Sequence, residues 1–315
     1  MKLSLVDTHC DTAFELWRNN ASILTNNCHI SLEKASVFEN YTQFFAVWAN
    51  KRRSDDEAFE DFLSISDNLS TEIKEHSGKI SAVTSFAEMK QAWNDKKTAA
   101  FLAVEDARIL GGKLERLDVL HSRGVKYLTL MWGGNTCIGA SHDVEGGLTD
   151  FGREVVHKCF EYGIVPDVSH SNEQTTEEIS RIAFEHKKPF IASHSNCYSL
   201  FSHSRNLRDK HIDDIIHLGG IIGISLCPYH IKDMSDGACT VKDVVAHIEE
   251  YLELGAENVL GLGCDLDGTN LPDGFDGIND LEKIAEELLK RNYSNELIDK
   301  IFYRNFYNFI QNNFA

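Results

Sequence analysis

The stretch LSLVDTHCDTAFELW, residues 3–17, passes from a short apolar run to a histidine with an aspartate on either side. Such a run is typical of the first strand of an α/β protein, either a (β/α)8 barrel or a doubly wound open sheet. The open sheet typically carries a glycine-rich phosphate loop directly after that strand. No glycine occurs in this stretch, so it favours the barrel.

Apolar runs and segments of helical periodicity alternate repeatedly along the chain, although the sequence itself does not repeat. Short apolar, β-branched or aromatic runs alternate with segments of helical periodicity, and several runs are apolar nearly throughout, as in parallel strands covered on both faces. The runs are 3–7, 41–49, 98–105, 126–132, 163–170, 189–194, 219–226 and 258–268. The helical segments are 54–76, 111–123, 150–161, 173–187, 208–218 and 240–255. Eight strands alternating with helices over about 250 residues predict an α/β fold, a TIM-like (β/α)8 barrel.

The last part of the chain predicts two additional helices outside the barrel. They correspond to LEKIAEELLKR from residue 281 and to NELIDKIFYRNFYNFIQ from residue 295. No low-complexity stretch or proline-rich linker interrupts the sequence. We therefore expect one domain over residues 1–315.

The amino-acid composition indicates which partners, cysteine states and cellular location to expect. The net charge of −18 argues against nucleic acid or an anionic membrane as a partner. Eight scattered cysteines without a Cys-x-x-Cys pair predict free thiols rather than disulfides or a thiolate zinc site. Neither a signal peptide nor a run of about 18 apolar residues is found, so a cytoplasmic protein is expected.

Five of the predicted strands end in side chains that can bind a metal. In a barrel of this kind the active site lies at the C-terminal ends of the strands. Each residue alone could be a helix cap or a turn former, but the same placement on five strands predicts a metal site. The residues are His9, Asp11, Glu105, His170, His194, Asp265 and Asp267. The histidines in loops and helical segments are interpreted as surface residues: His29, His76, His121, His157, His186, His211, His217 and His247.

The types of ligand indicate which metal would bind and how many ions. Imidazoles and carboxylates without a thiolate favour zinc, with manganese, cobalt or iron as alternatives. The residues exceed the three protein ligands of one catalytic zinc, so two ions about 3.5–4 Å apart, sharing a carboxylate and a hydroxide, are expected. In this scheme His9 and Asp11 hold one ion, His170 and His194 hold the other, and Glu105 bridges them.

Three further residues are predicted to act in proton transfer, substrate binding or ligand orientation around this site. Asp265 is placed to accept a proton from the nucleophilic water and return it to a leaving group. Arg205, eleven residues after His194, is either a solvated loop arginine or a bidentate clamp for a substrate carboxylate. Asp7 is expected to orient the imidazole of His9.

These residues lie in motifs by which the sequence resembles the membrane (renal) dipeptidase family, peptidase family M19. Members of that family are zinc peptidases with a TIM-like barrel and a site for two zinc ions. The motifs occur in family order and cover nearly the whole chain. They are DTHCDT (7–12), VED (104–106), GLTDFGREVV (147–156), DVSHSN (167–172), ASHSN (192–196), SRNL (204–207), GGIIGIS (219–225) and GCDLDG (263–268).

The resemblance implies a role for each matching residue. It assigns the same five residues to two zinc ions, with Glu105 as the bridge. It makes Asp265 the general acid and base, and Arg205 the residue that binds the C-terminal carboxylate of the substrate. Tyr229, in SLCPYH, is similar to a tyrosine of the family that lines the substrate pocket.

The sequence departs from the family pattern at one position. Mammalian members have a histidine after the fourth strand, proposed to stabilise the oxyanion, and in LTLMWGGNT Trp132 replaces it. Asn135 matches the asparagine that follows, so both residues are expected near the substrate. An indole N–H can donate a hydrogen bond but cannot become a cation. His142 is a candidate replacement.

The resemblance implies hydrolysis of dipeptides with a free C-terminal carboxylate, including L-Xaa-D-Xaa dipeptides. Two zinc ions per chain, a small dipeptide substrate and a homodimer are the cofactor and partners expected on this basis. One alternative is another barrel metallohydrolase, acting on a lactone, a cyclic amide or a phosphoester. The other is a metal-binding protein without catalysis.

Overall fold

A computed structural model describes residues 2–315 and contains a parallel sheet closed into a ring. Seven strands follow the order β6-β5-β4-β2-β1-β8-β7, and β3 pairs with β4 outside this path. The strands are β1 (Leu5–Cys10), β2 (Tyr41–Trp48), β3 (Ile80–Ala82), β4 (Thr98–Glu105), β5 (Val125–Thr129), β6 (Val165–Asp167), β7 (Ile222–Ile224) and β8 (Leu260–Leu262).

The segment 189–194 fills the gap between β6 and β7. Two isolated parallel bridges join Asp167 to Ile191 and Ala192 to Ile222. The ring therefore has eight members, and the prediction of a TIM-like barrel is confirmed. The segment is not a regular strand because the N–H of Ser193 bonds the Asp167 carboxylate, at 2.8 Å, instead of a backbone carbonyl.

Helices cover the outside of the ring, and each predicted helical segment contains one. They are α1 (Thr12–Asn19), α2 (Asp55–Glu75), α3 (Phe86–Asn94), α4 (Glu115–Ser122), α5 (Asp150–Tyr162), α6 (Glu173–His186), α7 (Asp209–Leu218), α8 (Pro228–Ile231), α9 (Val241–Glu253), α10 (Glu282–Lys290), α11 (Asn295–Asp299) and α12 (Asn305–Asn313). A π-helical turn, Lys300–Arg304, joins α11 to α12. The sequence pattern does not predict the shorter elements α1, α3, α8 and β3.

Polar caps begin several helices directly after the loops at the C-terminal ends of the strands. The side chain of Asn172 accepts a hydrogen bond from Thr175 N at the start of α6, as is typical of an N-cap. The same side chain donates to the carbonyls of Val144 and Gly146, each at 2.9 Å. The Asn172 side chain, two residues after His170, therefore connects the loop around residue 144 to the segment that follows β6.

Close approach of the strands explains two glycines inside the ring. A Cβ atom on Gly263 would lie 1.8 Å from the carbonyl oxygen of Ser193, and one on Gly223 would lie 2.1 Å from it. The Thr8 hydroxyl donates to the same oxygen at 2.7 Å. This contact across the ring brings the residues that follow, His9 and His194, side by side, with ring centroids 3.8 Å apart.

Two histidines interpreted as surface residues are buried, so that interpretation is wrong for them. His247 is fully buried; it accepts from Cys197 N and donates to the carbonyl of Ile231. His211 is also buried. All eight cysteines are free, and within residues 2–315 no helix is both long and apolar enough to cross a bilayer.

Candidate metal centre

The side chains predicted to bind metal meet at the C-terminal end of the ring, around Glu105. His170 Nε2 lies 2.9 Å and His194 Nε2 lies 3.3 Å from Glu105 Oε1. His9 Nε2 lies 3.5 Å from the other oxygen, Oε2. The two oxygens of one buried carboxylate therefore face two different sets of ligands.

Asp11 and Asp265 complete the group on the side of His9. One ligand atom of each of these three residues lies within 4.8 Å of the others. Asp265 Oδ1 lies 3.9 Å from His9 Nε2. The structure thus brings together all the predicted ligands and the predicted general base, while Asp267, the other carboxylate after β8, accepts from Thr12 and from the N–H of His29.

Hydrogen bonds determine which ring nitrogen of His9 carries its proton. The hydroxyl of Tyr127 donates to the carbonyl of Thr8 at 2.8 Å. It therefore accepts from His9 Nδ1, also at 2.8 Å. The neutral imidazole then presents the lone pair of Nε2 to the centre.

The same reasoning applies to the other two histidines. His170 Nδ1 lies 3.1 Å from the carbonyl of Trp132, which can only accept. Ser193 donates to Asp167 at 2.6 Å and so accepts from His194 Nδ1 at 2.8 Å. In their neutral forms all three histidines thus direct an Nε2 lone pair inward.

This arrangement fits a divalent metal. The Nε2 atoms of His170 and His194 are 3.0 Å apart, and two lone pairs at that distance repel each other unless a cation lies between them. Within residues 2–315, His9 Nε2 and Asp11 Oδ1 are buried without a hydrogen-bond partner. Buried polar atoms in proteins are normally paired. The lone pairs of these two unpaired atoms therefore support a metal ion as their partner.

The pKa values of the cluster indicate an excess of negative charge. Although burial lowers the pKa of His9, the carboxylates of Glu105, Asp11 and Asp265 raise it to about 10. Burial opposes ionisation of Glu105, but the positive charge of protonated His9 and the close contacts with the imidazoles of His170 and His194 hold its pKa well below the usual range. Burial raises the pKa of Asp265 to about 7. Such a pocket attracts a cation.

Two residues of the centre have a left-handed backbone. His170 has φ of 71° and Asp265 has φ of 58°. This conformation is unfavourable for residues other than glycine and is concentrated at functional sites. Both residues follow short strands, and their side chains reach the same end of the ring.

The hypothesis that Asp7 orients the imidazole of His9 is wrong. Asp7 Oδ1 accepts from the backbone N–H groups of His9 and Cys264, at 2.9 and 3.2 Å, and so joins β1 to the end of β8. Tyr127 contacts the imidazole instead. The sequence signal for Tyr127 is a polar aromatic residue inside an apolar run, which is too common in strand cores to single it out.

The Tyr127→Phe variant removes the hydroxyl that holds His9 Nδ1 and leaves the ring in place. Partners that orient a metal ligand typically contribute about 10–100-fold in affinity, so we expect weaker metal binding of that size. Titration of the metal-free protein with zinc measures it. Tyr41→Phe is the matched control, because Tyr41 is also buried inside a strand, β2, and donates to Gln43 rather than contacting an imidazole. Equal affinities in both variants would contradict the assignment.

A cavity of about 820 Å³ lies above the centre and includes Arg205 in its wall. Arg205 is 4% exposed, donates to Ser195 Oγ and to the carbonyl of His194, and keeps Nε buried without a partner. In the described part of the chain no carboxylate lies within 4 Å of its guanidinium. The solvated alternative for Arg205 is therefore wrong, and its charge is free for a ligand.

The other residues expected near the substrate are placed differently. Trp132 lines the cavity, and so does His142, whose Nδ1 lies 3.0 Å from Ser204 Oγ. Asn135 is exposed and pairs with Ala140, and Tyr229 is 56% exposed. Neither of these two is among the residues that line the cavity: Asn135 lies in the loop after β5, and Tyr229 lies on α8 with its side chain exposed.

Solved structures with the same fold cover the chain from end to end. The crystal structure of the metallopeptidase named dipeptidase AC, of family M19, has a TM-score of 0.92 at 22% identity, covering 100% of this chain and 99% of the other. A metallopeptidase from Rhodobacter sphaeroides, liganded with a phosphinate mimic of the dipeptide L-Ala-D-Ala, has a TM-score of 0.90 at 21% identity, covering 100% of both chains.

Two sequence relatives are named dipeptidases. Dipeptidase tcpJ from Claviceps purpurea is 31% identical over 212 residues, which are 65% of this chain and 48% of that protein. An uncharacterized dipeptidase from Schizosaccharomyces pombe is 29% identical over 65% of this chain and 51% of its own length, so the chain aligns with about half of each fungal relative. The family model described as membrane dipeptidase, peptidase family M19, matches residues 1–313. The motifs, the fold and this match agree, and the chain belongs to the membrane dipeptidase family, peptidase family M19.

Proposed function

We propose that the protein hydrolyses dipeptides with a free C-terminal carboxylate, with two zinc ions as cofactors. The observation that carries the proposal is the division of Glu105, whose Oε1 faces His170 and His194 while Oε2 faces His9. One ion would need only three of these side chains, such as His9, Glu105 and His194, whose ligand atoms lie within 4.8 Å of one another, and it would leave Asp11 and His170 without a role. Family membership supports the peptidase chemistry.

The residues that would hold the ions follow from this division. His9 and Asp11 would hold one ion, His170 and His194 would hold the other, and Glu105 would be shared by both. Imidazole and carboxylate donors without a thiolate favour zinc, with manganese or cobalt as substitutes. When bound, the ions would lower the pKa of a water molecule toward neutrality and would polarise the substrate carbonyl.

The chain itself contributes binding and proton transfer. Arg205 binds the C-terminal carboxylate of the dipeptide, because a buried guanidinium without an ionic partner gains most from a bidentate carboxylate. Asp265 accepts the proton of the attacking water and returns it to the departing amine. Its pKa, which burial raises to about 7, suits a group that must both take and give a proton near neutral pH.

The stereochemistry of the substrate is inferred from a similar structure. The Rhodobacter sphaeroides metallopeptidase is liganded with a mimic of L-Ala-D-Ala. We extend this to the present chain and include L-Xaa-D-Xaa dipeptides among its substrates. L-Ala-D-Ala is accordingly the first substrate to assay.

The Arg205→Ala variant tests the carboxylate clamp. Losing two charged hydrogen bonds should lower kcat/KM for L-Ala-D-Ala about 100–1000-fold, mainly by raising KM. Arg208→Ala is the control, since Arg208 pairs with Glu173 at 3.3 Å and lies outside the cavity wall. Unchanged dipeptide turnover in Arg205→Ala would favour a lactonase, cyclic amidase or phosphoesterase, whose substrates lack the carboxylate.

A further inference from the structure

Cations lie at two opposite sides of the cavity. Arg205 follows the segment 189–194, the sixth member of the ring, whereas Lys51 and Arg52 follow β2, the second member. In a ring of eight these positions face each other, with the candidate metal centre between them. All three side chains line the cavity.

The two cations after β2 have no ionic partner in the described chain. Among arginines of residues 2–315, only Arg52, Arg181 and Arg205 have no carboxylate within 4 Å, and Lys51 has none either. The next residue, Arg53, shows the contrast, since it binds Asp61 at 2.8 Å. Lys51 and Arg52 are exposed and both line the cavity, so their charges can reach a ligand bound there.

The carboxylates of the cavity wall are engaged elsewhere. Glu15 pairs with Arg18 at 2.6 Å, and Asp143 accepts from Ser141 and from the N–H of Gly134. Asp267 accepts from Thr12 and His29. The others belong to the candidate metal centre: Asp11, Glu105 and Asp265. The positive charge after β2 is therefore free to act on a ligand.

Two tryptophans line the same side of the cavity. The ring centroids of Trp48 and Trp132 are 5.5 Å apart, and Lys51 Nζ lies 5.3 Å from the centre of the Trp132 ring. Trp48 Nε1 is buried without an acceptor within the described residues. Apolar walls with a free N–H donor and two cations suit a side chain of methylene groups that ends in a carboxylate.

We propose that the protein prefers dipeptides whose N-terminal residue has an acidic side chain, such as glutamate, bound by Lys51, Arg52 and the Trp48 N–H. This inference rests on the proposed function, because Arg205 fixes the C-terminal end of the dipeptide. An extended dipeptide spans about 7 Å, so its N-terminal residue then lies past the metal centre, on the side of β2.

The test compares substrates that differ only in charge. With the zinc-loaded enzyme, kcat/KM for L-Glu-D-Ala should exceed that for L-Gln-D-Ala about tenfold, and the Lys51→Gln/Arg52→Gln double variant should reduce the ratio to about one. Arg53→Gln, which removes a neighbouring cation that does not line the cavity, should keep the wild-type ratio. Trp48→Phe should lower turnover of both substrates by a similar factor, about three- to tenfold, since either side chain can accept its N–H.

Three outcomes would overturn the inference. The first is equal turnover of the two substrates by the wild type, and the second is a preference for glutamate that survives in the double variant. The third is a preference for L-Ala-D-Glu over L-Ala-D-Gln that the double variant abolishes, because it would place the acidic residue at the C-terminal position. Hydrolysis of L-Ala-D-Ala by the wild type tests the proposed function separately.

Discussion

The Asp265→Asn variant should lose about 100- to 10,000-fold in kcat, the range typical of a positioned general acid or base, while it still binds two metal ions. Asparagine has nearly the same shape but cannot take the proton of the attacking water. Metal analysis of the purified variant together with L-Ala-D-Ala kinetics provides both measurements. Activity near that of the wild type with two ions bound would remove Asp265 from this role.

The surroundings of Asp265 allow this substitution to remove the proton acceptor without disturbing the local structure. Its backbone φ is 58°, a left-handed conformation that asparagine also tolerates. Its carboxylate oxygens make no side-chain hydrogen bond within residues 2–315, so the change leaves no partner unsatisfied. Asp267→Asn is the matched control, because Asp267 also has a positive φ of 69° but bonds Thr12 and His29. A loss as large in the control would indicate a structural effect.

The same variant has a distinct pH profile. Burial raises the pKa of Asp265 to about 7, and bound cations counteract this shift by favouring the ionised form. A carboxylate acts as a base only when it is ionised. Wild-type kcat should therefore fall as the pH drops below the pKa that Asp265 has in the metal-loaded enzyme. The residual activity of Asp265→Asn should lack that acidic limb.

The Glu105→Gln variant should lose the pair of ions. The substitution replaces one of two charged oxygens by an NH₂ group, which cannot bind a cation, and removes the charge that both sets of ligands share. We expect the affinity for at least one ion to fall by more than the roughly 10–100-fold that is typical of residues that only orient a ligand. Dipeptide hydrolysis should become undetectable at the metal concentrations that saturate the wild type.

Glu15→Gln is the control for this variant. Glu15 lines the same cavity but pairs with Arg18 and does not contact the histidines, so its change should leave metal stoichiometry at the wild-type value. Two ions bound to Glu105→Gln with wild-type affinity would rule out the bridging role. Binding of one ion by the wild type at saturation would contradict the two-ion centre itself.

Much of the barrel could be predicted from local patterns. Runs such as 41–49 and 98–105 form β2 and β4 because a strand covered on both faces requires continuous apolar residues, a requirement visible along the chain. The run 189–194 takes its predicted place in the ring but is not a regular strand, because Asp167 withdraws the Ser193 N–H from the backbone pattern. The three-residue strand β3 carries too little pattern to be recognised.

The candidate ligands could also be predicted, because position at the end of a strand is a local property and the barrel rule brings strand ends together. The positions of Asn135 and Tyr229, which were predicted to lie near the substrate, were less predictable. Their side-chain directions depend on the loop after β5 and on the orientation of α8, because neighbouring residues of a helix point in different directions. His230, adjacent to Tyr229, lines the cavity where Tyr229 does not.

By itself the sequence determined that His9, Glu105, His170, His194 and the carboxylates after β8 lie at strand ends of an α/β barrel. Only the tertiary structure decided how these side chains face each other. Three features of the site depend on residues that are distant in the chain. They are the contacts of the two Glu105 oxygens, the hydrogen bond between Tyr127 and His9, and the isolated charge of Arg205. Hydrogen bonds and charge interactions act over a few ångströms in space, so contacts of this kind exist only after the ring has closed.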